Sequence, residues 1–238
     1  MIRFLRPFDP HRVRLLVFDL DGTLIDSRLD LIHSVNATLH HLGRPALDGD
    51  VIASYVGDGA PALIRRALGD EDSDGNNEAL LPRALEYFLG YYRIHKLDHT
   101  TVYEGIRETL AQLAKPSKGD PTASPRRQMA VLTNKPVRPS RDIIKALGLA
   151  DSFISVYGGN SFPTKKPDPL GVQTILHETG IQPEEALMIG DSSVDVLTGR
   201  NAGLWTCGVT YGFAPHTLES VPPDVLIEKP CELGELLG

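Results

Sequence analysis

The sequence predicts a doubly wound α/β fold with a parallel sheet and an inserted helical unit, on three observations. Four short apolar runs, each the length of one buried strand, recur along the chain. The segments between the later runs carry apolar residues at helical spacing. Between the first and second runs lies a long stretch of successive helix-like segments, which breaks an otherwise regular alternation of strand and helix.

The first run, Leu15, Leu16, Val17 and Phe18, stops at Asp19. It is apolar at every position, which suits a strand covered on both faces. Residues 28–96 then read as helices (LDLIHSVNATLHHLG, APALIRRALG and EALLPRALEYFLGYYRIHK), an insertion directly after that strand. The division this gives is an α/β core of residues 1–26 and 98–238 and a helical unit of residues 27–97. Asp70 to Asn77 (DEDSDGNN) is dense in turn-forming residues and predicts a connecting loop. Lys115 to Arg127 (KPSKGDPTASPRR) mixes Pro, Gly, Ser and charge and predicts a mobile surface loop. Strands follow at Met129 to Thr133, Ala186 to Gly190 and Leu204 to Val209, with weaker signals at Phe153 to Tyr157 and Val225 to Ile227. The helices between them span Arg138 to Leu147, Pro169 to Thr179 and Val194 to Ala202.

Composition narrows the function. The chain has 238 residues, 41% of them hydrophobic, enough to bury a sizeable core. Its 24 basic and 31 acidic side chains leave a net charge of −7, which argues against a nucleic-acid or membrane partner, since both need clustered cations. Two cysteines, Cys207 and Cys231, make neither a disulfide framework nor a zinc site. The basic start, MIRFLRPFDPHRVR, is interrupted by proline and charge before any apolar signal segment forms, and no apolar run approaches the roughly 20 residues needed to cross a bilayer. A cytoplasmic location is the expectation.

The chemistry sits where the strands end. The first run leads into Asp19-Leu20-Asp21-Gly22-Thr23, two carboxylates at the carboxyl end of a strand, where open α/β sheets collect their ligands. The run at 129–133 ends in Thr133-Asn134-Lys135, and the run at 186–190 leads into Asp191-Ser192-Ser193-Val194-Asp195. Lys165-Lys166-Pro167 follows the weaker strand at 153–157. If these strands are neighbours, carboxylates, a hydroxyl and an ammonium converge on one cleft. Hard oxygen ligands from Asp19 and Asp191 suit Mg²⁺.

That ordered set of four motifs resembles the haloacid-dehalogenase-like (HAD) superfamily, in its phosphatase branch, over nearly the whole chain. The resemblance implies a Rossmann-like HAD core with an inserted α-helical class I cap. It implies that Asp19 is the nucleophile, Asp21 the general acid and base, and Thr133 the phosphate-binding hydroxyl, with Asn134 beside it. Lys166 would be the charge-neutralising lysine, preferred over Lys165 because Pro167 follows it in a K-P-x-P pattern. Mg²⁺ would be held by Asp19, Asp21 and Asp191, supported by Asp195, Gly22, Thr23 and Ser192. Tyr55-Val56-Gly57-Asp58-Gly59 resembles the phosphoglycolate phosphatase subgroup, which implies hydrolysis of a small phosphorylated metabolite, 2-phosphoglycolate, through an aspartyl-phosphate. Gly57 and Gly59 would let backbone approach the substrate, and Arg65 would meet a substrate carboxylate.

Other readings are weaker or stay open. Gly57 to Ala62 fits G-x-G-x-x-A but lies outside a βαβ unit, so it is not a dinucleotide site. The eight histidines show no zinc spacing, and no serine nucleophile elbow is present. Tyr87, Phe88, Tyr91 and Tyr92, at helical spacing, read as packing between helices. A sugar-phosphate phosphatase, a pyrophosphatase and a hexose-phosphate mutase share the same core machinery. A receiver-type phospho-acceptor module also sets carboxylates, Thr and Lys at strand ends, but it is about half this length and has no helical insertion. The sequence leaves the oligomeric state, monomer or homodimer, open.

Overall fold

The computed structural model describes residues 1–69, 76–115 and 127–238. The chain forms an edge strand β1 (Arg3–Phe4) and then β2 (Leu15–Phe18). A short β3 (Ile25–Asp26) leads into four helices: α1 (Arg28–His41), α2 (Gly49–Ser54), α3 (Ala60–Leu68) and α4 (Asn76–His95). Strand β4 (Thr101–Val102) returns antiparallel to β3, and α5 (Ile106–Leu113) follows. The rest alternates: β5 (Gln128–Leu132), α6 (Val137–Ala146), β6 (Ser155–Tyr157), α7 (Leu170–Thr179), β7 (Ala186–Gly190), α8 (Ser193–Asn201), β8 (Trp205–Val209), β9 (Val225–Ile227) and α9 (Pro230–Leu237).

The main sheet runs in the order β1-β9-β8-β7-β2-β5-β6, and every neighbouring pair is parallel except β1 with β9. Strand β2 is central. Leu15 is in register with Gln128 of β5 on one side and with Ala186 of β7 on the other. The predicted runs thus become strands of one sheet: β2, β7 and β9 keep the predicted bounds, β6 and β8 start later, and β5 is shifted by one residue.

Both faces of that sheet are covered, which is why the central runs have no polar alternation. Leu16 and Phe18 join Met129, Val131, Leu187 and Ile189 in a core that also takes Leu110 of α5, Ile143 of α6 and Leu236 of α9. Leu15 and Val17 point the other way, with Ala130, Leu132 and Met188, onto Val172 and Ile175 of α7. Each fully buried aliphatic side chain of this kind is worth about 1.5–3 kcal/mol.

Helix α4 packs against α1 and α3, and Leu31, Val35, Ile64 and Phe88 are buried among them. Asp30, buried in the first turn of α1, ties this bundle to the chain that leaves it. It accepts hydrogen bonds from the backbone N–H groups of His99 and Thr100 and from Thr100 Oγ1, at 2.7–3.1 Å. Of the loop predicted at 70–77, residues 70–75 lie outside the described residues, while Asn76 and Asn77 already belong to α4. Of the loop predicted at 115–127, residues 116–126 lie outside them. Arg127 is anchored: its Nε donates to Val13 O at 3.1 Å, and Nη2 donates to Leu237 O.

Candidate active site

Strand β2 is flanked on opposite sides by strands reached through different connections, so the strand order reverses beside it. That is where a doubly wound sheet opens a crevice at its carboxyl edge. A cleft of about 700 Å³, counting the part open to solvent, lies there between the sheet and the helical bundle. Asp19, Asp21, Thr133, Asn134, Asp191 and Ser192 all line it, with Gly57 and Gly59 from the helical side.

The local backbone explains how two carboxylates fit into one turn. The carbonyl of Leu20 accepts N–H groups from Thr23, Leu24 and Ile25, which folds the chain back immediately after β2. Gly22 permits the fold, with φ +79° and so little space that a Cβ would stand 2.4 Å from Asp191 Oδ2. Thr23 is fully buried beneath the turn. Asp19 and Asp21 leave this turn toward different partners.

Asp19 is buried, and Lys166 Nζ lies 2.8 Å from its Oδ1. The same ammonium donates to Asp195 Oδ1 at 2.6 Å. Asp195 is held in turn at the start of α8, where its Oδ2 accepts Ser192 Oγ at 2.7 Å and Ser192 N at 3.2 Å, closing a capping box. Burial opposes the charge of Lys166, but Asp19 and Asp195 outweigh it and raise its pKa. The neighbouring Lys165 reaches away and donates to the carbonyl of Asp58 at 2.5 Å.

Asp191 directly follows β7, and its Oδ2 accepts the backbone N–H groups of Phe213 at 2.6 Å and Ala214 at 3.1 Å. Burial, and then the nearby Asp195 and Asp19, push its pKa up to about 7. Burial likewise drives Asp19 up, to about 6, against the pull of Lys166. Carboxylate oxygens of Asp19, Asp191 and Asp195 lie within 4.8 Å of one another. Three buried carboxylates face one ammonium there, and that excess of negative charge on hard oxygen donors fits a divalent cation. Both oxygens of Asp195 are engaged, by Lys166 and Ser192, whereas Lys166 takes only Oδ1 of Asp19 and the backbone only Oδ2 of Asp191, which leaves one oxygen of each to hold it.

Two of the expected site residues lie apart from the carboxylate cluster. The side chain of Asp21, expected among the metal ligands, is not in the carboxylate cluster. Ser27 Oγ donates to its Oδ1 at 2.5 Å, and Lys135 Nζ reaches both its oxygens at 3.0 Å, which turns it to the other side of the cleft. Arg65 does not line the cleft. The buried face of α3 is Leu63, Ile64, Ala67 and Leu68, so Arg65 falls on the exposed side. The adjacent Arg66 pairs with Asp58 at 2.5 Å.

The helical unit touches the sheet edge through its glycine loop. Asn134 Nδ2 donates to Gly57 O at 3.0 Å and to Lys166 O at 3.1 Å. Gly59, with φ +84°, brings its backbone so close that a Cβ would sit 2.8 Å from Asn134 O. Thr133, just beyond β5, is buried, and its Oγ1 accepts the backbone N–H of Lys135 at 3.2 Å. Of the aromatic quartet, only Phe88 and Tyr92 are buried; they line the cleft, whereas Tyr87 and Tyr91 stack with His41 and His95 away from it.

Lys135 and Ser27 were not among the residues expected at the site. Ser27 stands at the N-cap of α1, which in sequence reads as a helix start, but it makes no capping bond because Asp21 takes its hydroxyl. Lys135 was visible only as the residue following Thr133-Asn134.

The sequence profile of the haloacid dehalogenase-like hydrolases matches residues 16–209. The chain belongs to that family. As a haloacid dehalogenase-like hydrolase it is 37% identical to a phosphoglycolate phosphatase of Chromobacterium violaceum, over 94% of this chain and 96% of that protein. A phosphoglycolate phosphatase of Vibrio vulnificus is also 37% identical, over 94% of this chain and 96% of its own length. Among solved structures, a predicted phosphoglycolate phosphatase from Haemophilus somnus superimposes with a TM-score of 0.84 at 26% identity, covering 95% of this chain and 99% of that one. A β-phosphoglucomutase from Clostridium difficile shares the fold, with a TM-score of 0.73 at 18% identity and 93% of each chain covered.

Proposed function

We propose that this hydrolase is a magnesium-dependent phosphatase that converts 2-phosphoglycolate to glycolate and phosphate, with residues 27–97 acting as a cap over residues 1–26 and 98–238. One observation carries the chemistry: Asp19 and Asp21 leave one turn toward opposite sides of a single cleft, one onto Lys166 and the other onto Ser27 and Lys135. The relatives called phosphoglycolate phosphatase, matched over nearly their full length, support the choice of substrate.

Asp19 attacks phosphorus in line and becomes an aspartyl-phosphate. Asp21 gives a proton to the departing ester oxygen and takes one back from the water that hydrolyses the acyl phosphate. Thr133 Oγ1 and the backbone N–H groups around Leu20, Asp21 and Asn134 hold the transferring oxygens, because this reaction is mostly positioning and charge stabilisation. Lys166 offsets the repulsion between the Asp19 carboxylate and the phosphoryl group, and Asp195 keeps that ammonium in place. Magnesium, when bound by Asp19 and Asp191, supplies further positive charge at the same point. Phe88, Tyr92 and Leu63 line the cleft and keep bulk water from the acyl phosphate. A cytoplasmic setting agrees with the two unpaired cysteines and with the absence, among the described residues, of any helix long and apolar enough to cross a membrane.

The test is phosphate release from a panel of 2-phosphoglycolate, pyrophosphate and hexose phosphates, with magnesium and with EDTA. The expected result is magnesium-dependent release, highest in kcat/KM for 2-phosphoglycolate and abolished by Asp19→Asn. Release that persists in Asp19→Asn rejects the nucleophile, and a preference for a hexose phosphate or pyrophosphate rejects the substrate.

A further inference from the structure

Lys135 has no part in the chemistry above, yet it is buried in the middle of it. Its Nζ reaches both oxygens of Asp21 at 3.0 Å and stands 4.6 Å from the centroid of the Tyr92 ring, a cation over an aromatic face. Its side chain is only 5% exposed. Among the described residues that line the cleft, it is the one with a cationic side chain. Lys166 is not on that surface; it is sunk between Asp19 and Asp195. The cleft that receives the substrate therefore presents one ammonium, and Lys135 carries it.

The positions of the two lysines divide the substrate between them. Lys166 touches the residue that attacks phosphorus, so its charge belongs to the phosphoryl end. Lys135 touches the residue that protonates the ester oxygen, so its charge lies beside whatever that oxygen carries. In 2-phosphoglycolate the ester oxygen carries a methylene and then a carboxylate, whose carbon is two bonds away. Burial works against the charge of Lys135, but Asp21 and Tyr92 outweigh it and its pKa is raised, so the group stays an ammonium. The cleft also has an apolar lining, with Leu63, Phe88, Pro136 and Phe213, and its uncharged donors Thr133, Asn134 and Ser192 carry no full positive charge. In such surroundings a charge-assisted hydrogen bond is stronger than in water.

We infer that Lys135 is the specificity residue of this hydrolase, the group that binds the carboxylate at the leaving-group end of the substrate. It takes the role that the sequence suggested for Arg65. The inference rests on 2-phosphoglycolate being the substrate, and the test separates the two.

Two pairs of compounds serve. The hydrolysable pair is 2-phosphoglycolate and 2-hydroxyethyl phosphate, which differ in carboxylate against hydroxyl; kcat/KM is measured for each with magnesium present. The non-hydrolysable pair is 3-phosphonopropionate and 3-hydroxypropylphosphonate, and their binding is measured by calorimetry. In each pair the readout is the ratio between the two compounds. The wild-type ratio is expected to favour the carboxylate by about 30-fold, the size of one charge-assisted hydrogen bond, and to fall to about 3-fold or less in Lys135→Met. Lys135→Arg, which keeps the charge on a differently shaped head, is expected to retain part of the preference and guards against a folding failure of the methionine variant.

A wild-type protein with no carboxylate preference in either pair overturns the inference. So does a ratio that survives Lys135→Met because both compounds lose the same factor, which would assign Lys135 to positioning Asp21 alone. If 2-phosphoglycolate is not hydrolysed but 3-phosphonopropionate binds with a preference that Lys135→Met removes, the proposed reaction falls and the carboxylate site stands. If 2-phosphoglycolate is hydrolysed and Lys135→Met keeps the ratio, the reaction stands and the inference falls.

Discussion

Lys166 illustrates how much of the site depends on single side chains. Its ammonium is the shared partner of two buried carboxylates, Asp19 at 2.8 Å and Asp195 at 2.6 Å. Lys166→Met removes the counter-charge and leaves both carboxylates facing each other, so we expect a loss of about 3–5 kcal/mol in metal-free buffer, read by chemical denaturation. Activity should fall at least about a hundredfold as charge neutralisation at the phosphoryl group is lost. Gly22→Ala should fail differently. It forces a side chain into positive φ and against the Asp191 carboxylate, so a loss of about 1–3 kcal/mol is expected together with a fall in kcat. Unchanged kcat in that variant would mean that the turn and Asp191 move independently. At this scale the sequence was legible wherever a strand end and a motif coincided, as for Asp19, Thr133 and Asp191. It did not fix where Arg65 faces, because one residue along a helix rotates a side chain by about 100° and only packing decides which face turns inward. It was silent on the pairing of Lys135 with Asp21, a contact across 114 positions that no local spacing encodes.

At the level of elements, the two crossings between the sheet and the helical bundle are bound together by Asp30. It sits in the first turn of α1, and its carboxylate collects donors from His99 and Thr100, just before the returning strand β4. Asp30→Ala strips the partners from two backbone N–H groups and a hydroxyl, and a cost of about 2–4 kcal/mol follows, measurable as a drop in Tm. If the bundle is a cap that closes on the site, the variant should also raise KM. The elements that the sequence yielded are those with a readable pattern: predominantly apolar runs for β2, β5, β7 and β8, and helical spacing for α6, α7 and α8. Strands β1, β3 and β4 have two residues each, too short for any pattern. Helices α5 and α9 did carry a signal. Ile106, Thr109, Leu110 and Leu113 of α5 stand at helical spacing, but its 8 residues make only about two turns between the insertion and the proline-rich segment, too few for the period to stand out.

For the whole molecule, the cluster at the sheet edge links stability to pH and to metal. Asp19 and Asp191 are raised from 3.8 to about 6 and about 7, so the folded chain keeps protons that the unfolded chain has already released. These two groups make the metal-free protein less stable as pH rises from about 4 to about 7, a trend that denaturation at a series of pH values would read. A divalent cation competes with those protons. The Tm gain on adding millimolar magnesium should be large near pH 8 and small near pH 5; equal gains at both would place the cation elsewhere.

The position of β2 has a consequence for how the protein is made. Its two neighbours in the sheet begin at Gln128 and Ala186, so a strand that leaves the ribosome early finds its second partner only after most of the chain has followed. Pairings this distant in sequence form slowly and expose apolar strand edges while they wait. A nascent chain halted before β7 would hold Asp19 on an incomplete sheet, with neither Asp191 nor Asp195 yet made. The carboxylate cluster at the sheet edge can therefore assemble only after the segment from Ala186 to Asp195 has joined the sheet.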